Sequence, residues 1–224
     1  MLFSNIQKYF NVCLNDAPYP GQIGFQDPAS PGFTGISDLH DNVFFFLILI
    51  LLGVVWVLGV ILFIFNEKKN VLVLKYLTHG TIVELVWTIF PALILMLIAV
   101  PSFSLLYILD EVISPSLTVK AVGHQWYWSY EYTDYQTESG DAIEFDSYMV
   151  PESDLEEGQL RLLAVDNSLK IPVDTHARLV VQSTDVIHDF AVPSLGIKID
   201  AVPGRLNQTS LLAEREGNFY GHRK

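Results

Sequence analysis

Between Gly123 and Tyr132 the chain reads Gly-His-Gln-Trp-Tyr-Trp-Ser-Tyr-Glu-Tyr, with five aromatic rings in the seven residues from Trp126 to Tyr132. One strand face cannot bury that many rings. The plain reading sends alternate rings into a core and leaves the others at a membrane-facing rim, where Trp and Tyr are favoured. The sharper reading has an exposed tryptophan form the contact through which an electron enters. Further along, His188 stands in Asp185-Val186-Ile187-His188-Asp189. By residue type alone, a lone histidine is more often a satisfied core or surface group than a ligand. Thr81-Ile82-Val83-Glu84 has the spacing of a capping box ahead of an apolar run, which marks a helix start with a carboxylate near its positive end. Cys13 is the single cysteine. It can form no intrachain disulfide and leaves the C-terminal part without a thiol.

The elements that must position these residues follow from how apolar and charged residues are distributed. The chain has 224 residues, is 50% hydrophobic, and yet carries a formal net charge of −12. Segregation resolves the contradiction. Apolar residues concentrate between Val43 and Leu109, whereas 19 of the 25 acids lie at or after Asp110, against nine Lys and Arg. Val43 to Phe65 is twenty-three residues without a charge, long enough as a helix to cross a hydrocarbon core of about 30 Å. It begins too far into the chain for an ordinary signal peptide. Leu85 to Leu109 is also free of charge and contains Pro91 and Pro101, which a transmembrane helix tolerates better than a buried soluble one. Pro91 falls near the helix start, and Pro101 is expected to kink the far end. Glu67, Lys68, Lys69 and Lys75 lie between the two runs. With acid-rich segments outside, the positive-inside rule puts this loop on the inner side and both termini outside.

After about Leu117 the pattern changes to short alternating segments such as Leu117-Thr118-Val119-Lys120-Ala121, separated by Gly, Pro, Asp and Asn. These predict strands, and their spacing predicts a sandwich or small barrel. Asp134 to Asp141 and Pro151 to Gly158 read as exposed loops. The expected organisation is an outward-facing segment over 1–42, a transmembrane hairpin over 43–109 with helices at about 43–65 and 85–109, and a β domain over 110–224.

Several longer stretches carry a resemblance. They are Val83-Glu84-Leu85-Val86-Trp87-Thr88-Ile89-Phe90-Pro91, the His124 to Tyr132 block, Glu157-Gly158-Gln159-Leu160-Arg161-Leu162-Leu163, Asp185 through Gly196, and Val202-Pro203-Gly204-Arg205-Leu206-Asn207-Gln208. In this order the sequence resembles the mitochondrial type of cytochrome c oxidase subunit 2 from Asp38 to Gly221. The resemblance implies a two-helix transmembrane hairpin followed by an all-β, cupredoxin-like Greek-key barrel. It implies an oxidoreductase and translocase subunit of the respiratory chain, in the mitochondrial inner membrane with both termini in the intermembrane space. Such a subunit accepts electrons from cytochrome c at a binuclear copper centre and passes them to heme in subunit 1 of a proton-pumping complex. Cytochrome c, oxidase subunits 1 and 3 and the lipid membrane are the implied partners, and no nucleic acid is.

Carried over residue by residue, the resemblance makes His188 a copper ligand, which suits imidazole chemistry. Trp126 becomes the residue through which electrons enter, and Glu131 and Asp185 become acids that help dock cytochrome c. A negative face speeds encounter with a basic partner and loses its effect in salt. Glu84 corresponds to the mouth of a proton-uptake path, a role compatible with a helix cap at the inner interface.

The resemblance also carries a departure. After Phe219-Tyr220-Gly221 the family continues through a C-x-E-x-C-x-x-x-H-x-x-M segment and a last strand, where this sequence reads His222-Arg223-Lys224. Two thiolates bridge the family's coppers, so the expectation is an incomplete site: this chain alone shows neither oxidase activity nor binuclear copper absorption. An incomplete gene product, a split subunit completed by a second chain, and a copper-less subunit of quinol-oxidase or assembly type would each account for it.

Overall fold

A computed structural model describes residues 15–65, 76, 78–112, 114–136 and 140–223. Cys13, the basic stretch at Glu67, Lys68, Lys69 and Lys75, and Thr137 to Ser139 lie outside the described residues. The chain divides into two compact units, one of Ser37–Leu106 and the other of Met1–Ile36 with Tyr107–Lys224.

Helix α1 spans Pro31–Ile64 and helix α2 spans Thr81–Asp110. Ser30 starts α1: its Oγ accepts the Phe33 amide at 3.1 Å, and its carbonyl accepts the Thr34 amide at 3.0 Å. This is side-chain capping ahead of a proline placed where its missing N–H costs no helical bond. α1 thus begins well before the charge-free run, on the polar residues that precede it. At the start of α2, Glu84 reaches back to accept the Gly80 amide at 3.3 Å. The reciprocal pair expected between Thr81 and Glu84 is thus replaced by a single side-chain bond to Gly80, because the helix already includes Thr81 and Gly80 has no side chain to return it. Both Pro91 and Pro101 lie inside α2, which runs on past them. Both helices are long and apolar enough to cross a membrane. Their apolar side chains are exposed along nearly the whole length, with only Phe33 and Ile94 buried, as expected of surfaces solvated by lipid.

In the other unit, β1 (Asn15–Asp16) is followed after α2 by β2 (Leu117–His124), β3 (Tyr127–Gln136), β4 (Ala142–Ser147), β5 (Ala177–Ser183), β6 (His188–Val192), β7 (Ile197–Ala201), β8 (Asn207–Leu211), β9 (Asn218–Phe219) and β10 (His222–Arg223). A five-stranded sheet runs β4-β3-β2-β5-β8, a three-stranded sheet runs β10-β6-β7, and β1 pairs with β9. Within the larger sheet β2 and β5 are parallel and the other pairs antiparallel. In β2 and β5 buried residues alternate with half-buried ones. Val119, Ala121, Leu179 and Val181 of that sheet share a core with Phe190, Val192, Ile197 and Ala201 of the smaller one. The β architecture is as expected, with one refinement: among the described residues the strands form separate sheets around a shared core, not a closed barrel.

The stretch before α1 is built into this unit. Ala29 is fully buried; its amide donates to the Ser194 carbonyl and its carbonyl accepts the Glu214 amide, both at 2.9 Å. The Arg215 guanidinium holds both Asp16 carboxylate oxygens, at 2.7 and 2.9 Å, and lies 5.2 Å from the Phe219 ring centre. Gly196 ends the short 3-10 turn at Pro193–Leu195 with φ +65°, and a Cβ there would come within 2.9 Å of Phe33 Cβ and 3.1 Å of its Cα. Left-handed backbone and a rigid neighbour both select glycine.

Gly196→Ala is therefore expected to destabilise this unit by about 1–3 kcal/mol through backbone strain plus the clash with Phe33. Gly204, at φ +77° with open space around its Cβ position, carries the backbone part alone. Thermal unfolding of the two alanine variants in detergent should place Gly196→Ala clearly lower.

Candidate functional site

His188, the first residue of β6, is buried at 3% exposure. Its Nε2 lies 2.6 Å from Asp185 Oδ1. That carboxylate has other partners. Oδ1 accepts the Val186 amide at 2.6 Å and the Ser183 hydroxyl at 3.1 Å, while Oδ2 accepts the Gln125 amide at 2.6 Å. An aspartate that accepts an amide close ahead of it in a turn is ordinary local chemistry. Its second oxygen reaching a residue sixty positions away is not local. Burial pushes the Asp185 carboxyl pKa up, but the bonds from His188, the two amides and Ser183 prevail and hold it well below the usual carboxylate range. Hydrogen bonds to the charged form have this sign.

Packing fixes the rest of the imidazole. The Trp128 ring meets His188 edge-on at 6.0 Å between centroids and meets Phe190 at 5.1 Å. Gly123 lies against it so closely that a Cβ would come within 2.7 Å of His188 Cδ2 and 3.2 Å of Trp128 Cζ3. A glycine inside a strand often marks such a close approach.

Trp126 is 80% exposed, at the corner joining β2 to β3. The Gln125–Trp126 peptide is cis. Through Gln125, its neighbour, the corner is tied to Asp185 and so to His188. The aromatic block does not divide by alternation: Trp126, Trp128 and Tyr130 share one parity, yet Trp126 is exposed, Trp128 half-buried and Tyr130 buried, because Trp126 lies in the loop ahead of β3. Glu131 faces Lys120 across the β2–β3 pair with an ion pair of 3.1 Å, both side chains about a third exposed. Glu84 belongs to the helical unit and is exposed at the start of α2.

Of the five singled-out residues, the fold therefore brings Asp185 into contact with His188 and places Trp126 one residue from their network. Glu131 sits in its own pair. Gly123, Trp128 and Ser183 escaped the sequence reading, although a glycine interrupting an alternating strand and a Ser-Thr-Asp run were visible signals.

Copper of the binuclear kind asks for soft sulfur donors beside imidazole. Among the described residues no group of three or more His, Cys, Asp and Glu could hold a metal ion, and none of those residues is a cysteine. His188 suits one ligand position, but the donor set present does not fit the paired metal.

Asp185→Ala would strip acceptors from two amides and from the imidazole. Amide exchange at Gln125 and Val186 is expected to quicken about tenfold or more as the turns open locally. Asp185→Asn, which keeps an acceptor oxygen, should fall between. Equal exchange in all three proteins would show that the carboxylate does not hold the two turns together.

Two family models match the chain: "Cytochrome C oxidase subunit II, transmembrane domain" over residues 18–105 and "Cytochrome C oxidase subunit II, periplasmic domain" over 117–224. The chain is 66% identical over 207 residues to cytochrome c oxidase subunit 2 of Mycosarcoma maydis, covering 92% of this chain and 81% of that one. The protein of the same name from Saccharomyces cerevisiae is 57% identical over 208 residues, covering 93% and 82%. Among solved structures, the periplasmic domain of subunit II of cytochrome oxidase from Bradyrhizobium japonicum aligns at 46% identity and TM-score 0.45, over 51% of this chain and 75% of that one.

Proposed function

The chain belongs to the cytochrome c oxidase subunit II family, and on that premise we propose that it is the subunit that takes electrons from cytochrome c and passes them toward heme in subunit 1. The observation that carries this reading is the link from the exposed corner at Trp126 through the Gln125 amide and Asp185 to the buried His188. An exposed ring whose neighbour is hydrogen-bonded in place offers a ferrous heme outside a contact of fixed geometry. Trp126 is that contact. The transfer moves one electron at a time and breaks no bond.

Docking falls to the negative charge of the surface, with Asp185 and Glu131 as contributors. Glu131 is partly compensated by Lys120, so Asp185 is the more effective of the two. His188 is the family's copper ligand present among the described residues. Because those residues lack the thiolates, the paired metal would need donors beyond them, and no electron step runs through copper. Glu84, exposed beside the first turn of α2, is the proposed mouth of the proton-uptake path. The setting is the mitochondrial inner membrane, in a complex with oxidase subunits 1 and 3. Residues on both sides of the two apolar helices fold into one unit, and this supports both termini lying on the intermembrane side.

The test is oxidation of ferrocytochrome c by the assembled complex that carries this chain. Trp126→Ala is expected to slow electron transfer about tenfold or more, since small losses of contact geometry carry penalties of that order. Raising ionic strength should lower the second-order rate, and Asp185→Asn should flatten that dependence. Wild-type oxidation by Trp126→Ala would remove the tryptophan from its assigned role.

A further inference from the structure

The corner that carries Trp126 is held together from outside. β2 ends at His124 and β3 begins at Tyr127, with these two residues directly paired, so Gln125 and Trp126 form a two-residue hairpin loop. A bulky ring four-fifths exposed contributes little burial to hold such a tip in place. The support comes from neighbouring elements. The Gln125 amide donates to Asp185, and His124 Nδ1 lies 2.9 Å from Thr184 Oγ1. The His124 ring then stacks on Tyr127 at 4.5 Å and 7°, and Tyr127 stacks on Tyr148 at 4.5 Å and 23°.

Tyr148 is itself anchored. Its amide donates to Asp166 Oδ1 at 2.7 Å, and its carbonyl accepts the Asp166 amide at 3.0 Å. Its hydroxyl donates to Asp146 Oδ2 at 3.3 Å, while the other oxygen of Asp146 accepts the Ser129 hydroxyl at 2.7 Å. Three rings from β2, β3 and the segment after β4 therefore form a column whose middle member is the residue next to Trp126. Each stack of this spacing adds about 0.5–1.5 kcal/mol beyond the area it buries, and so favours one orientation of the rings.

We propose that the His124–Tyr127–Tyr148 column is a splint that fixes Trp126 in the orientation in which one electron passes across its ring from the ferrous heme of cytochrome c to the electron acceptor of the assembled oxidase, the ring itself being neither oxidised nor reduced, with His124 and Tyr148 as positioning residues. This rests on the reading of Trp126 given above. A splint acts after docking. It therefore governs the first-order transfer step within the complex and leaves salt-dependent association alone.

The experiment uses the assembled oxidase with cytochrome c bound at low ionic strength, the heme being reduced by a light flash and its reoxidation followed. Tyr148→Ala is expected to lower the first-order rate about tenfold by loosening the geometry of the contact. Tyr148→Phe, which keeps the ring and loses only the hydroxyl, should stay near wild type, and the salt dependence of the second-order rate should be unchanged in both. Tyr148→Ala at the wild-type rate, or Tyr148→Phe as slow as Tyr148→Ala, overturns the splint. Should Tyr148→Ala fail to assemble, His124→Ala against His124→Phe makes the same comparison at the other end of the column, and equal rates there overturn it. Trp126→Ala is measured alongside. If it transfers at the wild-type rate, the reading of Trp126 fails; if it is slow while the column variants are fast, the splint alone fails.

Discussion

One carboxylate joins the buried His188 to the corner that carries Trp126 in the β-sheet unit. Asp185 sits in the turn between β5 and β6 and accepts from His188, Ser183 and the amides of Val186 and Gln125. Asp185 is exposed as a residue, but its side chain is 28% accessible, and a carboxylate so partly covered keeps its place when its lone pairs are satisfied. Here donors from two separate turns satisfy it, so neither turn can shift without leaving the charge underbonded. The result is a fixed relation between an exposed tryptophan corner and a buried imidazole, made from parts that share no strand. Gly123 completes the arrangement by offering no side chain where the His188 ring must lie.

A second constraint acts on the chain as a whole. The two helices present apolar side chains over nearly their full length, and such surfaces are stable only in lipid or against a partner. In this family they form the transmembrane domain. The stretch leading into α1 nevertheless folds with the β strands, through Ala29 in the core and the forked pair of Arg215 with Asp16. Bidentate geometry of this kind is directional as well as strong. Strand β9 is thereby paired with β1, the first described strand, while β10 after it pairs with β6.

Acidity and function separate at the level of single residues. The abundance of acids suggests a negative face, but individual carboxylates have local employment: Glu131 with Lys120, Asp16 with Arg215, and Asp189 with Lys198. A surface charge already matched by a neighbouring cation adds little to the field a partner feels at distance. What steers a partner is the excess that remains after such pairing, and composition alone does not identify which acids make up that excess.

Local signals in the sequence determined a good deal. Charge-free runs marked the helices, alternation marked β2 and β5, the spacing from Thr81 to Glu84 marked the start of α2, and an excess of rings over strand-face capacity required at least one of them to be exposed. Each depends on residues within a few positions of one another, where periodicity and capping act. The early start of α1, the separation of the strands into three sheets, the pairing of Glu131 with Lys120 and the stacking of Tyr148 on Tyr127 were decided only in the folded chain. So was the meeting of Gln125 with Asp185. Those contacts join residues on different strands, and a contact between distant segments exists only once the sheets have set their register and brought the two turns side by side.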